Sequence, residues 1–178
     1  MAPQNDPGNP NENVVFQIGD TIVHWSYGLG TIAAIEERDI GGVTQQYYVV
    51  DVENLQLWVP VKEANDSSIR FLTQKSQFEE LFDILRTPGQ PLPDHQFQRR
   101  TELQERMKKK SLAGVCHLIR DLADRSRQNP LNQNDTIVLS RAEDLLVDEW
   151  VRCLDVERSA AIDQLAVLLQ TGLSTSEE

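Results

Sequence analysis

The chain has 178 residues, of which 39% are hydrophobic and 25% are charged, ordinary proportions for a globular protein of one or two domains. It has no run of about 18 apolar residues, and its Asn- and Pro-rich start lacks the apolar segment of a signal peptide, so we expect a cytoplasmic protein without membrane attachment. The net charge of −11 argues against a protein that coats nucleic acid regardless of sequence.

The positive charge is concentrated in the second half of the chain. Residues 1–94 carry 5 Lys and Arg against 14 Asp and Glu, whereas residues 95–178 carry 12 against 14. The polar ends, residues 1–13 and 173–178, are expected to be disordered tails.

The first structured segment is rich in short strands that are separated by glycine turns. A turn is expected at 26–30, where two glycines can adopt positive φ, and Gly41-Gly42 is the strongest hairpin signal in the chain. Short strands with no helix between them predict a small closed or nearly closed β-barrel. The expected strands span residues 20–25, 31–37, 44–52, 56–61 and 69–71.

Helical periodicity replaces the strand pattern from Ser76 onward. A first helix is expected to end at Arg86, before a proline-rich linker at 89–95. Four further helices with short loops are expected to form a compact bundle. The first of them covers about 96–109, and the second starts after Ser111 and ends before a polar loop at 125–130. The third starts after either Asn132 or Ser140, and the fourth covers about 156–170.

The sequence therefore predicts an α+β protein of two domains. The N-terminal small β-barrel is expected at 14–88, and the C-terminal all-α helical bundle is expected at 96–172. Two cysteines, Cys116 and Cys153, have no metal-site spacing, so we expect them to be buried free thiols.

Signatures of an enzyme are absent from the sequence. There is no P-loop, no zinc-protease motif and no nucleophile elbow, and the Gly28-Leu29-Gly30 turn joins strand to strand instead of strand to helix. His24, beside Trp25, is expected to be a packed barrel histidine. We therefore expect no catalytic residues, no metal site and no cofactor.

One segment, residues 97–110, is strongly basic, with 6 basic and 2 acidic residues. Arginines near a helix terminus can neutralise phosphates, and Phe97 beside them can wedge between bases in the minor groove. The alternative is that Phe97 packs on the bundle and that the charges form a solvated helix face. The candidate DNA-binding residues are Phe97, Arg99, Arg100, Arg106, Lys108 and Lys109.

A second candidate surface is centred on Trp58. Alternation along a strand places Leu55, Leu57 and Val59 on one face, and Gln56 with Trp58 on the other. If the leucine face lines the core, then an outward tryptophan on a short strand indicates contact with a protein partner. The alternative is that the following helix covers Trp58.

The order of motifs resembles the family of CarD, CdnL and the transcription-repair coupling factor. The opening motif comprises Phe16, Gly19-Asp20, Val23-His24, Tyr27-Gly28, Gly30 and Ile32. The match continues through Ile35-Glu36, Arg38, Tyr47 to Val50, Val59 to Val61, Leu85-Arg86, Arg99-Arg100, Ile119 to Leu122, and Ala142, Leu145-Leu146 and Glu149. The coupling factor shares only the barrel, and this chain has no motor.

The resemblance implies a Tudor-like barrel that binds the β subunit of RNA polymerase, and a helical domain at the upstream edge of the transcription bubble. Such a protein would stabilise the promoter open complex. Arg38 and Trp58 match polymerase-contact positions, and Phe97 matches the family's minor-groove tryptophan. Thr101 and Glu102 depart from the aromatic and basic residues common in the family, which implies weaker contact with DNA.

Three hypotheses follow from the sequence. The first is a regulator, expected to be a monomer, whose partners are the RNA polymerase β subunit, through Arg38, Gln56 and Trp58, and promoter DNA. The second is a protein-interaction adaptor that does not touch DNA. The third, a small hydrolase, has little support because no nucleophile–base pair or metal cluster is visible.

Overall fold

The computed structural model describes residues 15–63, 69–108 and 111–172. The expected disordered tails and the candidate Lys109 lie outside these residues. Within them the chain forms five strands and then five helices, which confirms the predicted α+β class. The strands are β1 (Thr21–His24), β2 (Gly28–Ile40), β3 (Val43–Val52), β4 (Leu55–Pro60) and β5 (Ile69–Phe71). The helices are α1 (Phe78–Arg86), α2 (Gln96–Lys108), α3 (Leu112–Gln128), α4 (Gln133–Leu154) and α5 (Arg158–Thr171).

The strands form one antiparallel sheet in the order β4-β3-β2-β1-β5. Its inner face is filled by β-branched and aromatic side chains, as expected for a half-buried pleated surface. The predicted hairpin forms at Gly41-Gly42, where both residues have positive φ (67° and 83°). Strands β4 and β5 are the two edges, and among the described residues no ladder joins them.

Gly30 has a different role from the predicted one. We expected a turn through residue 30, but β2 already begins at Gly28, the glycine with positive φ. At Gly30 a Cβ atom would lie 2.7 Å from Val52 Cγ2 and 2.9 Å from Val50 Cγ1. The position therefore favours glycine because two valines of β3 approach the backbone closely.

Helix α1 packs mainly with α3 and α5. Its stripe of Phe78, Leu81, Phe82 and Leu85 belongs to the helical core, whose largest buried side chain is Trp150. Phe16, from the segment before β1, packs in the separate core of the sheet, and the stripe of α1 buries its apolar area among the helices. The expectation that α1 belongs with the barrel is therefore not supported by its packing.

The proline-rich segment 89–95 is also fixed to the helices. Leu92 is buried in the helical core, and the Gln90 amide donates to Asp121 Oδ1 at 2.8 Å. Where independently folding domains divide stays a prediction, but the contacts attach α1 and this segment to the helical half.

The start of α4 and the end of α3 are both defined by hydrogen bonds at the helix termini. Asn132 Oδ1 accepts from the Asp135 amide at 2.8 Å, so α4 begins after Asn132 and continues through Ser140. Helix α3 continues to Gln128, so the loop expected to start at residue 125 was wrong. Arg127, in its last turn, donates to the Leu169 carbonyl at 2.9 Å, which stabilises this extension.

One face of α4 holds the sheet against the helices. Arg141, Leu145, Glu149 and Cys153 follow one another at intervals of four residues, so they lie on one side of the helix. We call this set the docking stripe. Each member contacts a residue of the sheet half or of the segment that follows it.

The contacts of the docking stripe are polar at both ends. Glu149, 1% exposed, accepts from Arg70 at 2.7 and 2.8 Å and from the Thr73 amide at 2.6 Å. Arg141 donates to the carbonyl of Ser26 and, at 3.0 Å, to its hydroxyl oxygen. Between them Leu145 Cδ2 lies 3.8 Å from the position that a Cβ atom on Gly28 would occupy, and the Cys153 thiol donates to the Thr73 carbonyl. The two halves are therefore held in a defined relation.

Candidate functional site

The three residues predicted to contact a protein partner lie on the same face of the sheet. Glu36 of β2 is opposite Tyr47 of β3, which is opposite Pro60 of β4. Because alternate residues of a strand share a face, Arg38 lies on the face of Glu36, and Gln56 and Trp58 lie on the face of Pro60. This is the face opposite the buried core.

Arg38 and Trp58 form a stacked pair on that face. The guanidinium carbon of Arg38 lies 4.6 Å from the centroid of the Trp58 ring, within the range of a cation–π contact. Glu36 Oε2 accepts from Arg38 Nε at 2.9 Å and from Nη2 at 2.7 Å, which fixes the guanidinium in place. Trp58 is 41% exposed, so the alternative that a helix covers it is wrong.

Gln56 is fixed beside this pair on edge strand β4. Its side-chain amide donates to Asp51 Oδ1 at 2.9 Å. Leu55 differs from expectation, because it is exposed although Leu57 and Val59 of the same face pack on the core. It opens the strand directly after the two-residue turn, at the end of the sheet.

Phe97 lies at the start of α2 with its side chain in solvent. It is 72% exposed, so the alternative that it packs on the bundle is wrong. Arg100 follows three residues later and is also exposed, with no carboxylate of a described residue within ion-pair distance. Residues three apart on a helix are neighbours, so the ring and the guanidinium lie on one side of α2.

Arg99 is not placed to contact DNA, contrary to the prediction. It is 5% exposed, and its Nε donates to Asp135 Oδ2 at 2.8 Å. Its Nη1 donates to the carbonyls of Pro93 and Asp94 at 2.7 and 2.9 Å. A guanidinium with these partners is satisfied inside the protein, so Arg99 anchors the start of α2 to α4 and to the preceding segment.

Two other basic residues that were predicted to bind DNA also have carboxylate partners. Arg106 pairs with Glu102 and, at 2.6 Å, with the fully buried Asp121 side chain. Lys108 pairs with Glu105 at 3.1 Å, but both side chains are largely exposed, so this pair contributes little. Arg106 is thus mainly structural, and Lys108 stays available to a ligand.

Sequence reasoning missed the buried acids that hold these arginines. Asp121 accepts from Arg106, Arg120 and the Gln90 amide, and Asp135 accepts from Arg99. One signal was available for Asp135, because Val138, Leu139 and Ala142 continue its side of α4, where an unpaired carboxylate would be costly. Such an acid predicts a basic partner, but the pattern does not say which arginine it is.

Two groups that lie away from the exposed candidate surfaces have a pKa that is shifted by burial. The pKa of His24 is lowered to about 4, first by burial and second by the positive charge of Arg141. Its Nδ1 accepts from the amides of Ser26 and Tyr27 at 2.9 and 3.2 Å, so the neutral ring carries its proton on Nε2. Burial raises the pKa of the free thiol Cys116 to about 12.

In residues 15–63, 69–108 and 111–172, no three His, Cys, Asp or Glu side chains are grouped to hold a metal ion. The helices of these ranges are each too short or too polar to cross a bilayer.

Comparison with known proteins identifies both halves of the chain. Residues 16–72 match the CarD-like/TRCF RID domain, and residues 80–166 match the CarD C-terminal domain. The chain is 28% identical over 140 residues, 76% of its own length and 90% of the relative's, to the "Putative transcription factor YdeB" of Bacillus subtilis (strain 168). The first match agrees with the Tudor-like fold that the motifs implied. The protein belongs to the CarD-like family of transcription factors.

Proposed function

We propose that the protein binds the β subunit of RNA polymerase through the Trp58 face of its sheet and stabilises the promoter open complex through Phe97. The observation that carries the proposal is the 72% exposure of the Phe97 ring at the start of a helix that Arg99 and Asp135 anchor. An aromatic ring held in solvent on an anchored helix is positioned to insert between bases.

The proposed polymerase-binding surface is supported by the stacking of Arg38 on Trp58. Glu36 and the indole ring both contact the guanidinium, so part of its conformational freedom is already restricted before a partner covers it. Tryptophan and arginine are the residues most enriched at the energetic centres of protein interfaces. Strand β4 adds an edge that can pair with a strand of the partner.

The DNA surface is supported by Phe97 and Arg100. A ring can insert at an unstacked base step, and a cation on the same side of the helix can contact the adjacent phosphate. Lys108 lies on the same helix near its other end, and the anchoring role of Arg99 leaves fewer phosphate contacts than the sequence suggested. We therefore expect the DNA contact to depend on polymerase.

The docking stripe connects the two surfaces. Because Arg141, Leu145 and Glu149 hold the sheet against α4, a protein bound to polymerase presents Phe97 at a fixed position near the DNA. A tethered contact acts at a high effective concentration, so a weak DNA contact suffices. It stabilises the open complex only by the difference between its affinities for melted and closed DNA.

The test is the lifetime of the open complex with Phe97→Ala. We expect the lifetime to fall about tenfold towards the value without the protein, because an inserted aromatic ring is worth roughly 1–3 kcal/mol. Phe97→Trp should preserve the effect, and both variants should bind immobilised polymerase β like the wild type. A wild-type lifetime with Phe97→Ala would contradict the DNA-contact half of the proposal.

A second candidate is a polymerase-binding adaptor that does not touch DNA. It is favoured by the pairing of Arg99 and Arg106 with buried acids, which removes two of the predicted phosphate contacts. Footprinting of the polymerase–promoter complex distinguishes the candidates. Added protection at the upstream edge of the bubble, lost with Phe97→Ala, supports DNA contact, and an unchanged footprint supports the adaptor.

A further inference from the structure

A cleft of about 380 Å³ lies where the sheet half meets the helices. Trp25 from the turn after β1 forms one wall, the end of α2 forms a second, and the first half of α4 forms a third. Its volume falls within the range of small-molecule sites. The lining residues are Trp25, Gln104, Met107, Lys108, Val138 and Arg141.

The inner walls of the cleft are apolar and include one flat ring. Trp25 is partly exposed, with its indole roughly parallel to the buried His24 ring (interplanar angle 21°). Met107 and Val138 form the other apolar walls, and Met107 is almost fully buried. A thioether beside an indole suits a planar aromatic guest, because both are polarisable.

The rim of the cleft carries positive charge. Arg141 donates only from Nη2, to two neutral oxygens of Ser26, and no carboxylate of a described residue lies within ion-pair distance of it. Burial and, second, the charge of Arg141 lower the pKa of the neighbouring His24. Lys108 adds a second cation, and its exposed pair with Glu105 is weak.

We propose that this cleft binds a small aromatic anion, with the ring against Trp25 and the anionic group on Arg141 and Lys108. Charge complementarity selects the anion, because the rim holds two cations in a chain of net charge −11. The flat apolar wall selects an aromatic ring over an aliphatic acid. The cleft involves neither Phe97 nor Trp58 and shares only Lys108 with the candidate DNA surface, so a small ligand here goes beyond the proposed function.

A bound anion would also stabilise the contact between the sheet half and the helical half. Arg141 is the first residue of the docking stripe, and the remaining donors of its guanidinium face no described acceptor. A ligand between Trp25 and α4 therefore contacts both halves at once and stabilises the docked arrangement by its binding energy.

The test uses the full chain and the dye 8-anilinonaphthalene-1-sulfonate, an aromatic anion, with its neutral analogue N-phenyl-1-naphthylamine as the matched probe. Titration calorimetry should give one dye per chain, and the neutral analogue should bind about tenfold more weakly, as expected for loss of a charge-assisted contact. Arg141→Gln should weaken binding of the dye by a similar factor. Arg152 is an exposed arginine on the same helix, and Arg152→Gln should leave the affinity for the dye unchanged.

A second variant keeps the test valid if Arg141→Gln disturbs the docking of the two halves. Val138→Trp fills the cleft and leaves Arg141 in place, so it should abolish the saturable binding while thermal unfolding stays cooperative. Equal dye affinity in the wild type, Arg141→Gln and Val138→Trp would overturn the proposal. So would the absence of saturable binding to the wild type, or equal affinity for the charged and neutral probes.

Discussion

Arg70 and Glu149, 79 residues apart, form a bidentate ion pair between strand β5 and helix α4, with Nη1–Oε1 and Nη2–Oε2 distances of 2.8 and 2.7 Å. The carboxylate is buried, and it also accepts from the Thr73 amide. The hydrogen bonds that it accepts from described side chains and from the Thr73 amide therefore come from the sheet half and the segment after it, although Glu149 belongs to the helical half.

Glu149→Leu should lower the free energy of unfolding by about 3 kcal/mol, because it leaves the Arg70 guanidinium and the Thr73 amide without their acceptor. Chemical denaturation measures the change. Asp144→Asn on the same helix, which removes an exposed pair with Arg158, should change stability by less than about 0.5 kcal/mol. The double variant Arg70→Met/Glu149→Leu should recover part of the loss, and strict additivity would contradict direct coupling.

Arg99 and Arg100 should behave oppositely although they are adjacent. Arg99→Met leaves the buried Asp135 carboxylate unpaired and should lower the free energy of unfolding by about 3–5 kcal/mol. Arg100→Met, at an exposed position, should change stability by less than about 0.5 kcal/mol but shorten the open-complex lifetime. A stable Arg99→Met protein with a specific DNA defect would show that Arg99 is free to reach DNA.

Trp58→Ala should weaken binding to immobilised polymerase β at least about tenfold, as expected for a tryptophan at the centre of an interface. Its thermal unfolding should change little, because the ring is 41% exposed. Arg38→Lys should also weaken binding, since an ammonium cannot stack as a planar guanidinium does. Ile137→Ala removes an exposed apolar residue of α4 and is the control, and an equal effect there would contradict a defined contact surface.

His24 should make stability depend on pH below about 6.5. Its pKa is lowered from 6.5 to about 4 in the folded protein, so the unfolded chain binds the proton more readily. Its contribution is complete above pH 6.5 and is lost as the pH falls towards 4, by roughly 2–3 kcal/mol. His24→Asn retains an acceptor near the Nδ1 position without titrating there. Its unfolding free energy should fall less than that of the wild type over this range, and parallel curves would contradict the assignment.

The sequence alone determined the order and type of the elements. Alternation placed Trp58 outward, the two glycines at 41 and 42 set the hairpin, and helical periodicity placed the stripes of α1, α3 and α4. These features are local, because strand alternation and helical spacing act within a few residues of the chain.

The tertiary structure alone decided which charged residues are available to a ligand. Arg99 lies on the side of α2 that carries the buried Leu103 and Met107, whereas Arg100 lies on an exposed side. The carboxylate that pairs with Arg99 belongs to Asp135, 36 residues further along the chain. The attachment of α1 to the helices and the docking stripe on α4 have the same origin. Burial and ion pairing depend on which distant segments meet, and the periodicity of a single segment does not contain that information.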